Sequence, residues 1–162
     1  MSSQVLTYQA SAKPALTAWI RLLRGHAAAR RSLDAELQAG HGLTVTVYEA
    51  LLLLSRADEN AMRRVDLAEG LGLTASGVTR LLDGLERDGF AAKRTCDSDA
   101  RVSYAVLTAL GRERLEQASH SHVGSVRALF EERYTAEELE TLATLLGRLP
   151  GAGGGDADEC TP

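Results

Sequence analysis

The chain has 162 residues, with 44% hydrophobic residues, 25% charged residues and a formal net charge of −4. That length suits one domain with long helical extensions, and roughly 70% of the unfolded surface can be buried without disulfide or metal staples. The longest apolar run, residues 51–54, is far too short to span a bilayer.

The first residues lack a basic start followed by an apolar stretch, so no secretory signal is read. Cys96 and Cys160 are too few and too far apart for a disulfide framework. A cytoplasmic protein is expected. The acidic balance counts mildly against non-specific nucleic-acid binding. Residues 63–101, however, hold seven Lys/Arg and seven Asp/Glu, so that window is neutral and the acidic excess lies outside it.

Residues 1–12 read as a flexible lead and residues 13–42 as a dimerisation helix with its stop signals. Ser11 is the expected N-cap, Pro14 fits the first turn, and Gly40 and Gly42 end the helix after Ala39. Leu16, Ile20, Leu23 and Ala27 share one stripe, which Trp19, Leu22, Leu33 and Leu37 widen to an arc of about 160°. An arc that wide implies two packing partners, the chain's own core and a second subunit.

Thr46-Val47-Tyr48-Glu49 has the spacing of a capping box. It opens a helix through Tyr48, Leu51, Leu52 and Leu54 that ends near Asp58-Glu59-Asn60. A short helix follows over about 65–71 and a longer one over about 75–88, stopped by Gly89. Two strands are expected, about 90–95 and 102–107. Thr108 then caps a long helix to about 133, and Thr135 with Glu138 forms a second capping box. The last helix carries Leu139, Leu142, Leu145, Leu146 and Leu149 and ends at Pro150 and Gly151. Residues 151–162 have the composition of a disordered tail.

The stretch from Leu67 to Thr108 carries the functional reading. Ala68 and Gly72 are four apart, which lets two helices cross closely and supplies a positive-φ residue for the turn. Leu73 fills the gap and Thr74 caps the second helix. In that helix Val78, Leu81, Leu82 and Leu85 face the core, while Ser76, Thr79, Arg80 and Asp83 face outward. Short hydroxyls and an arginine in the first turns suit base edges and phosphates, and Arg80 has the reach to bridge guanine O6 and N7. An ordinary amphipathic helix with a solvated face is the plainer alternative. The charged hairpin that follows argues against it: Arg101 sits where a wing arginine enters a minor groove, with Asp99 placed to hold it.

The segments LAEGLGLTASGVTRLLDGLERDGF and DSDARVSYAVLT resemble the MarR (multiple-antibiotic-resistance regulator) family of winged helix-turn-helix proteins. Asp99 and Arg101 followed by Leu107-Thr108 are the most specific local part of the likeness. It implies a mainly α fold with long N- and C-terminal dimerisation helices and a two-stranded β-wing. Residues 43–107 would form the DNA-binding lobe and residues 108–150 the C-terminal dimerisation helices. It further implies a homodimeric repressor on a pseudo-palindromic operator, released by a small aromatic or phenolic ligand. The expected DNA contacts are Thr74, Ser76, Thr79, Arg80, Arg94, Asp99 and Arg101. Several positions depart from the pattern: Arg64 and Val65 replace a short apolar residue and a hydroxyl cap, and Gly77 and Gly84 interrupt the recognition helix.

The resemblance also places Trp19, Leu23 and Tyr48 near the family's effector pocket, where a flat ring stacks. The alternative is that Trp19 and Tyr48 are core residues with satisfied polar tips. Cys96 near the wing has Lys93 and Arg94 to lower its pKa but Asp97 and Asp99 to oppose them, so a redox role is disfavoured. His120 and His122 do not share a helix face, and His26 and His41 are isolated, which argues against zinc. No nucleotide-binding or catalytic motif is found, so no enzyme and no cofactor are expected. The rival reading is a dimeric protein-interaction module of the same fold without specific DNA binding.

Overall fold

The computed structural model describes residues 14–95 and 103–151. In chain order the elements are α1 (Pro14–His41), α2 (Val45–Arg56), a single 3-10 turn (Asp58–Asn60) and β1 (Ala61–Arg63). Next come α3 (Arg64–Gly70), α4 (Ala75–Arg87), β2 (Ala91–Thr95) and β3 (Ser103–Leu107). Two further helices follow, α5 (Ala109–Glu131) and α6 (Ala136–Leu146).

Threonine caps start four of the helices. The side chains of Thr44, Thr74, Thr108 and Thr135 each accept a hydrogen bond from the amide three residues on, satisfying a donor that the helix leaves open. The capping box at Thr135 and Glu138 is present. The one expected at Thr46 and Glu49 is not. Helix α2 begins two residues earlier, at the Thr44 cap, and Asp34 from α1 accepts from the Val45 amide at 2.8 Å. Thr46 and Glu49 instead face α1, where both Glu49 oxygens accept from Arg30 at 3.1 Å and Thr46 accepts from it at 2.8 Å. A forked guanidinium across two helices competes better for the carboxylate than a local amide does.

Helix α1 runs through Gly40, and the chain turns at Gly42, where φ is +65°. Strand β1 is absent from the sequence reading; three residues, Ala-Met-Arg, carry no alternation to find. It pairs antiparallel with β3, with Met62 opposite Ala105, and β2 pairs antiparallel on the other edge, with Lys93 opposite Ala105. The ribbon is therefore a three-stranded sheet with β3 in the middle.

The core gathers Leu37, Leu43, Tyr48, Leu51, Leu54, Leu67, Val78, Leu85, Ala105, Leu107 and Leu115. It lies where α2–α4 and the sheet meet the C-terminal end of α1 and the first half of α5. Outside that region α1 contains no buried residue, although Ile20 and Leu22 are half-buried, and α6 contains no buried residue either. Helix α6 stops at Leu146, four residues before Pro150, so Leu149 lies past its end. Leu145, Leu146 and Leu149 are exposed. Among the described residues no helix is long and apolar enough to cross a membrane.

Candidate nucleic-acid interface

The turn between α3 and α4 is built as the sequence indicates. Gly72 adopts φ +61°, its amide donates to the Glu69 carbonyl at 3.0 Å, and the Leu73 amide donates to the Ala68 carbonyl at 2.8 Å. This pair of bonds is the Schellman motif, which closes the open carbonyls of α3 and redirects the chain into α4. The same motif closes α4: Gly89 has φ +76°, with Gly89 donating to Glu86 and Phe90 to Leu85. Identical locks at both ends hold α4 at a fixed angle to α3 and the sheet.

Helix α4 divides as its periodicity requires. Val78 and Leu85 are buried, and Leu81 and Leu82 pack against the core. Thr74, Ser76, Arg80 and Asp83 are exposed, and Thr79 is half-buried. The Thr74 hydroxyl accepts from the Gly77 amide at 3.1 Å and lies 3.2 Å from Ser76 Oγ. Gly77 has a local reason: a Cβ there would stand 3.2 Å from Thr74 Oγ1 and 3.6 Å from the Leu73 Cβ. At Gly84 only the mobile end of Arg87 comes within 4 Å of such an atom.

Thr79 is more constrained than the sequence suggests. Its hydroxyl donates to the Ala75 carbonyl at 2.8 Å and accepts from Arg64 Nη1 at 3.3 Å. Its proton is therefore already used within the helix. Arg64, at the first turn of α3, was not among the expected contacts. The signal was its departure from the apolar residue usual there.

The cations of the lobe fall into two groups. Asp66 takes Arg63 at 2.6 Å, Asp88 lies 3.5 Å from Arg87, and Glu59 lies 3.4 Å from Arg94. The bond to Asp66, reinforced by its charge, raises the Arg63 pKa above its ordinary value. Arg56, Arg64, Arg80 and Lys93 have no carboxylate partner among the described residues. Side chains alternate across a strand, so Lys93 shares a sheet face with the buried Ala91 and Ala105. Arg94 lies on the other face, its guanidinium 5.5 Å from the centre of the Tyr104 ring. Thus Arg94, expected as a DNA contact, is turned away from α4 and already engaged, whereas its neighbour Lys93 lines the groove between α4 and the strands. Asp99, Arg101 and Cys96 lie outside the described residues.

The three residues expected around an effector are not brought together within one chain. Tyr48 is 3% exposed, with its hydroxyl donating to Ser119 at 3.2 Å and its ring 4.4 Å from that of His122. Trp19 and Leu23 are 55% and 48% exposed on α1. Arg30 marks the level at which α1 meets the first turns of α2, and Trp19 lies eleven residues before it, about 16 Å along the helix. Tyr48 matches the core alternative; Trp19 matches neither reading in a single chain. Among the described residues no three His, Cys, Asp or Glu side chains are grouped to hold a metal ion.

A capped helix presented on a helix-turn-helix and backed by a three-stranded sheet defines a winged helix-turn-helix protein. Comparison with known proteins narrows the class. The MarR family model matches residues 41–102. The HTH-type transcriptional repressor YetL of Bacillus subtilis is 36% identical over 111 residues, covering 68% of this chain and 66% of that repressor. The chain thus spans about two thirds of the length of the curated relatives it matches. AbsC, a MarR family transcriptional regulator of Streptomyces coelicolor, superposes with a TM-score of 0.74 at 30% identity, covering 83% of this chain and 91% of AbsC. Sco3205 from the same organism, solved in complex with DNA, superposes with a TM-score of 0.77 at 26% identity over 91% of both chains. The chain belongs to the MarR family of winged-helix transcriptional regulators.

Proposed function

We propose that this chain is a homodimeric DNA-binding repressor. Each protomer sets α4 in a major groove and the ribbon of β2 and β3 over the flanking minor groove, so two-fold symmetry spaces the half-sites by about 10 bp. The observation that carries this reading is the start of α4. Thr74, Ser76 and Arg80 stand exposed on a helix locked at both ends, and among the described residues Arg80 has no carboxylate to neutralise it. Sco3205, bound to DNA in its own structure, and YetL, named a repressor, support the reading by likeness.

Dimerisation rests on apolar surface that the single chain leaves open. Leu16, Trp19 and Leu23 of α1 and Leu145, Leu146 and Leu149 at the C-terminal end are each exposed, and large exposed apolar side chains in such groups mark a surface for a partner. A second subunit packed on α1 supplies the missing wall beside Trp19 and Leu23, where a small aromatic effector would stack. To cause release, that effector must favour the state that does not bind DNA.

The test is a gel shift on the intergenic DNA flanking the gene, with and without candidate aromatic acids. Arg80→Ala should lower affinity for that DNA far more than for poly(dI-dC), by about 5- to 150-fold for the loss of one bidentate base contact. Equal losses on both make Arg80 a phosphate contact. No binding by the wild type leaves the dimeric interaction module as the better reading.

A further inference from the structure

We infer that Arg64 and Lys93 form a phosphate clamp, a sequence-independent contact for the DNA strand that separates the two grooves. This rests on the DNA-binding reading above. If α4 occupies a major groove and the wing the next minor groove, the sugar-phosphate strand between them must pass over the gap between α4 and the root of the wing. That gap is a groove lined by Arg64, Thr79, Lys93, Asp83, Glu86, Ser103 and Tyr104, together with leucine and alanine residues.

Three observations assign the cations their role. Both are exposed, and neither has a carboxylate partner among the described residues, although three other arginines of the lobe do. Arg64 is held in place by its bond to Thr79 Oγ1, which uses one guanidinium N–H and leaves others to donate. The Thr79 hydroxyl proton is committed to Ala75, so at this point of α4 the donor facing outward is the guanidinium. Asp83 and Glu86 lie four and seven residues further along α4, about 6 and 10 Å toward the closed end at Gly89. They disfavour an anion there and confine it to the end held by Thr79 and Arg64.

A phosphate contact predicts a particular signature. The probes are a 30-bp duplex selected by the wild-type protein from a randomised pool, and poly(dI-dC). Each neutralised phosphate releases counterions, changing the slope of log K against log salt by about 0.9 and the affinity at 0.15 M salt by about fivefold. Arg64→Ala should show both changes equally on the two probes. Arg64→Lys, which keeps the charge, should restore the slope. Arg64→Ala with Lys93→Ala should lose about twice the slope. An unchanged slope in Arg64→Ala overturns the clamp, as does a loss confined to the selected duplex, which makes Arg64 a base reader. A wild-type protein that binds neither duplex overturns the DNA-binding reading and the clamp with it.

Discussion

The Thr108 hydroxyl donates to the Gly89 carbonyl at 2.7 Å and so joins the end of α4 to the start of α5. The same oxygen accepts from the Gly111 amide at 3.0 Å, and the Thr108 amide donates to Phe90 at 3.1 Å. Arg112 adds a bond to Asn60. The recognition helix therefore cannot tilt without disturbing the long helix that leads to the C-terminal end. Any change in the spacing of two lobes in a dimer must move α5 with the lobe.

This junction is closed so tightly that Gly111 admits no side chain. A Cβ there would lie 2.1 Å from the Phe90 carbonyl oxygen and 2.9 Å from Leu107 Cδ1. Gly111→Ala is expected to cost about 3 kcal/mol or more, because backbone rather than a flexible side chain must move. Thr108→Ala, which loses both the cap and the bond to the Gly89 carbonyl, should cost about 1–3 kcal/mol, and Thr108→Ser much less. Urea unfolding measures all three; a Gly111→Ala protein as stable as the wild type contradicts the junction described.

The two glycines inside α4 should answer alanine differently. At Gly84 the new methyl meets only Arg87 Nη2 at 3.6 Å, so Gly84→Ala should stabilise by about 0.5–1 kcal/mol through helix propensity. At Gly77 the methyl crowds the Thr74 cap at 3.2 Å, and the same gain should be cancelled or reversed. Melting temperatures of the two variants decide the point. Equal gains at both positions show that the cap tolerates the methyl.

His122 makes stability pH-dependent in a defined direction. Burial pushes its imidazole below the ordinary value near 6.5, partly opposed by the charges of Glu49 and Glu36. Its Nδ1 is buried without a hydrogen-bond partner among the described residues, and the Tyr48 ring lies against the imidazole. The unfolded chain therefore takes up this proton first. The contribution of the neutral ring is complete above about pH 6.5 and declines as pH falls toward the folded-state value. Relative to His122→Gln, the wild type should lose urea stability between pH 7.5 and 5.5. Parallel pH profiles for the two proteins remove His122 from the account.

The apolar surface at the C-terminal end sets the fourth expectation. Leu145 is half exposed and α6 buries nothing within the chain, so Leu145→Glu should leave the lobe folded while disrupting self-association. Sedimentation equilibrium should show a dimer for the wild type and monomer for the variant. In the dimer Trp19, at 55% exposure in one chain, should lose solvent contact and emit at shorter wavelength. A monomeric wild type overturns the proposed homodimer, whereas a variant that stays dimeric places the interface elsewhere.

The helix-turn-helix was legible in the sequence because its determinants are local. A glycine that must take positive φ, a threonine that must cap, and leucines at helical spacing each act within a few residues, and all recur where the structure needs them. Competition between partners distant in the chain was not legible. Glu49 abandons its own cap for Arg30, nineteen residues away; Thr79 spends its hydroxyl on Arg64 and Ala75; and strand β1 exists only because β3 offers it an edge. The sheet pairing also decides that Lys93 rather than Arg94 faces α4. Residue type and spacing by themselves determined the family and the exposed face of the recognition helix. Which cations remain without a carboxylate, and so are available to an anion, was decided only by the tertiary structure, because ion pairing depends on distances that the fold alone sets.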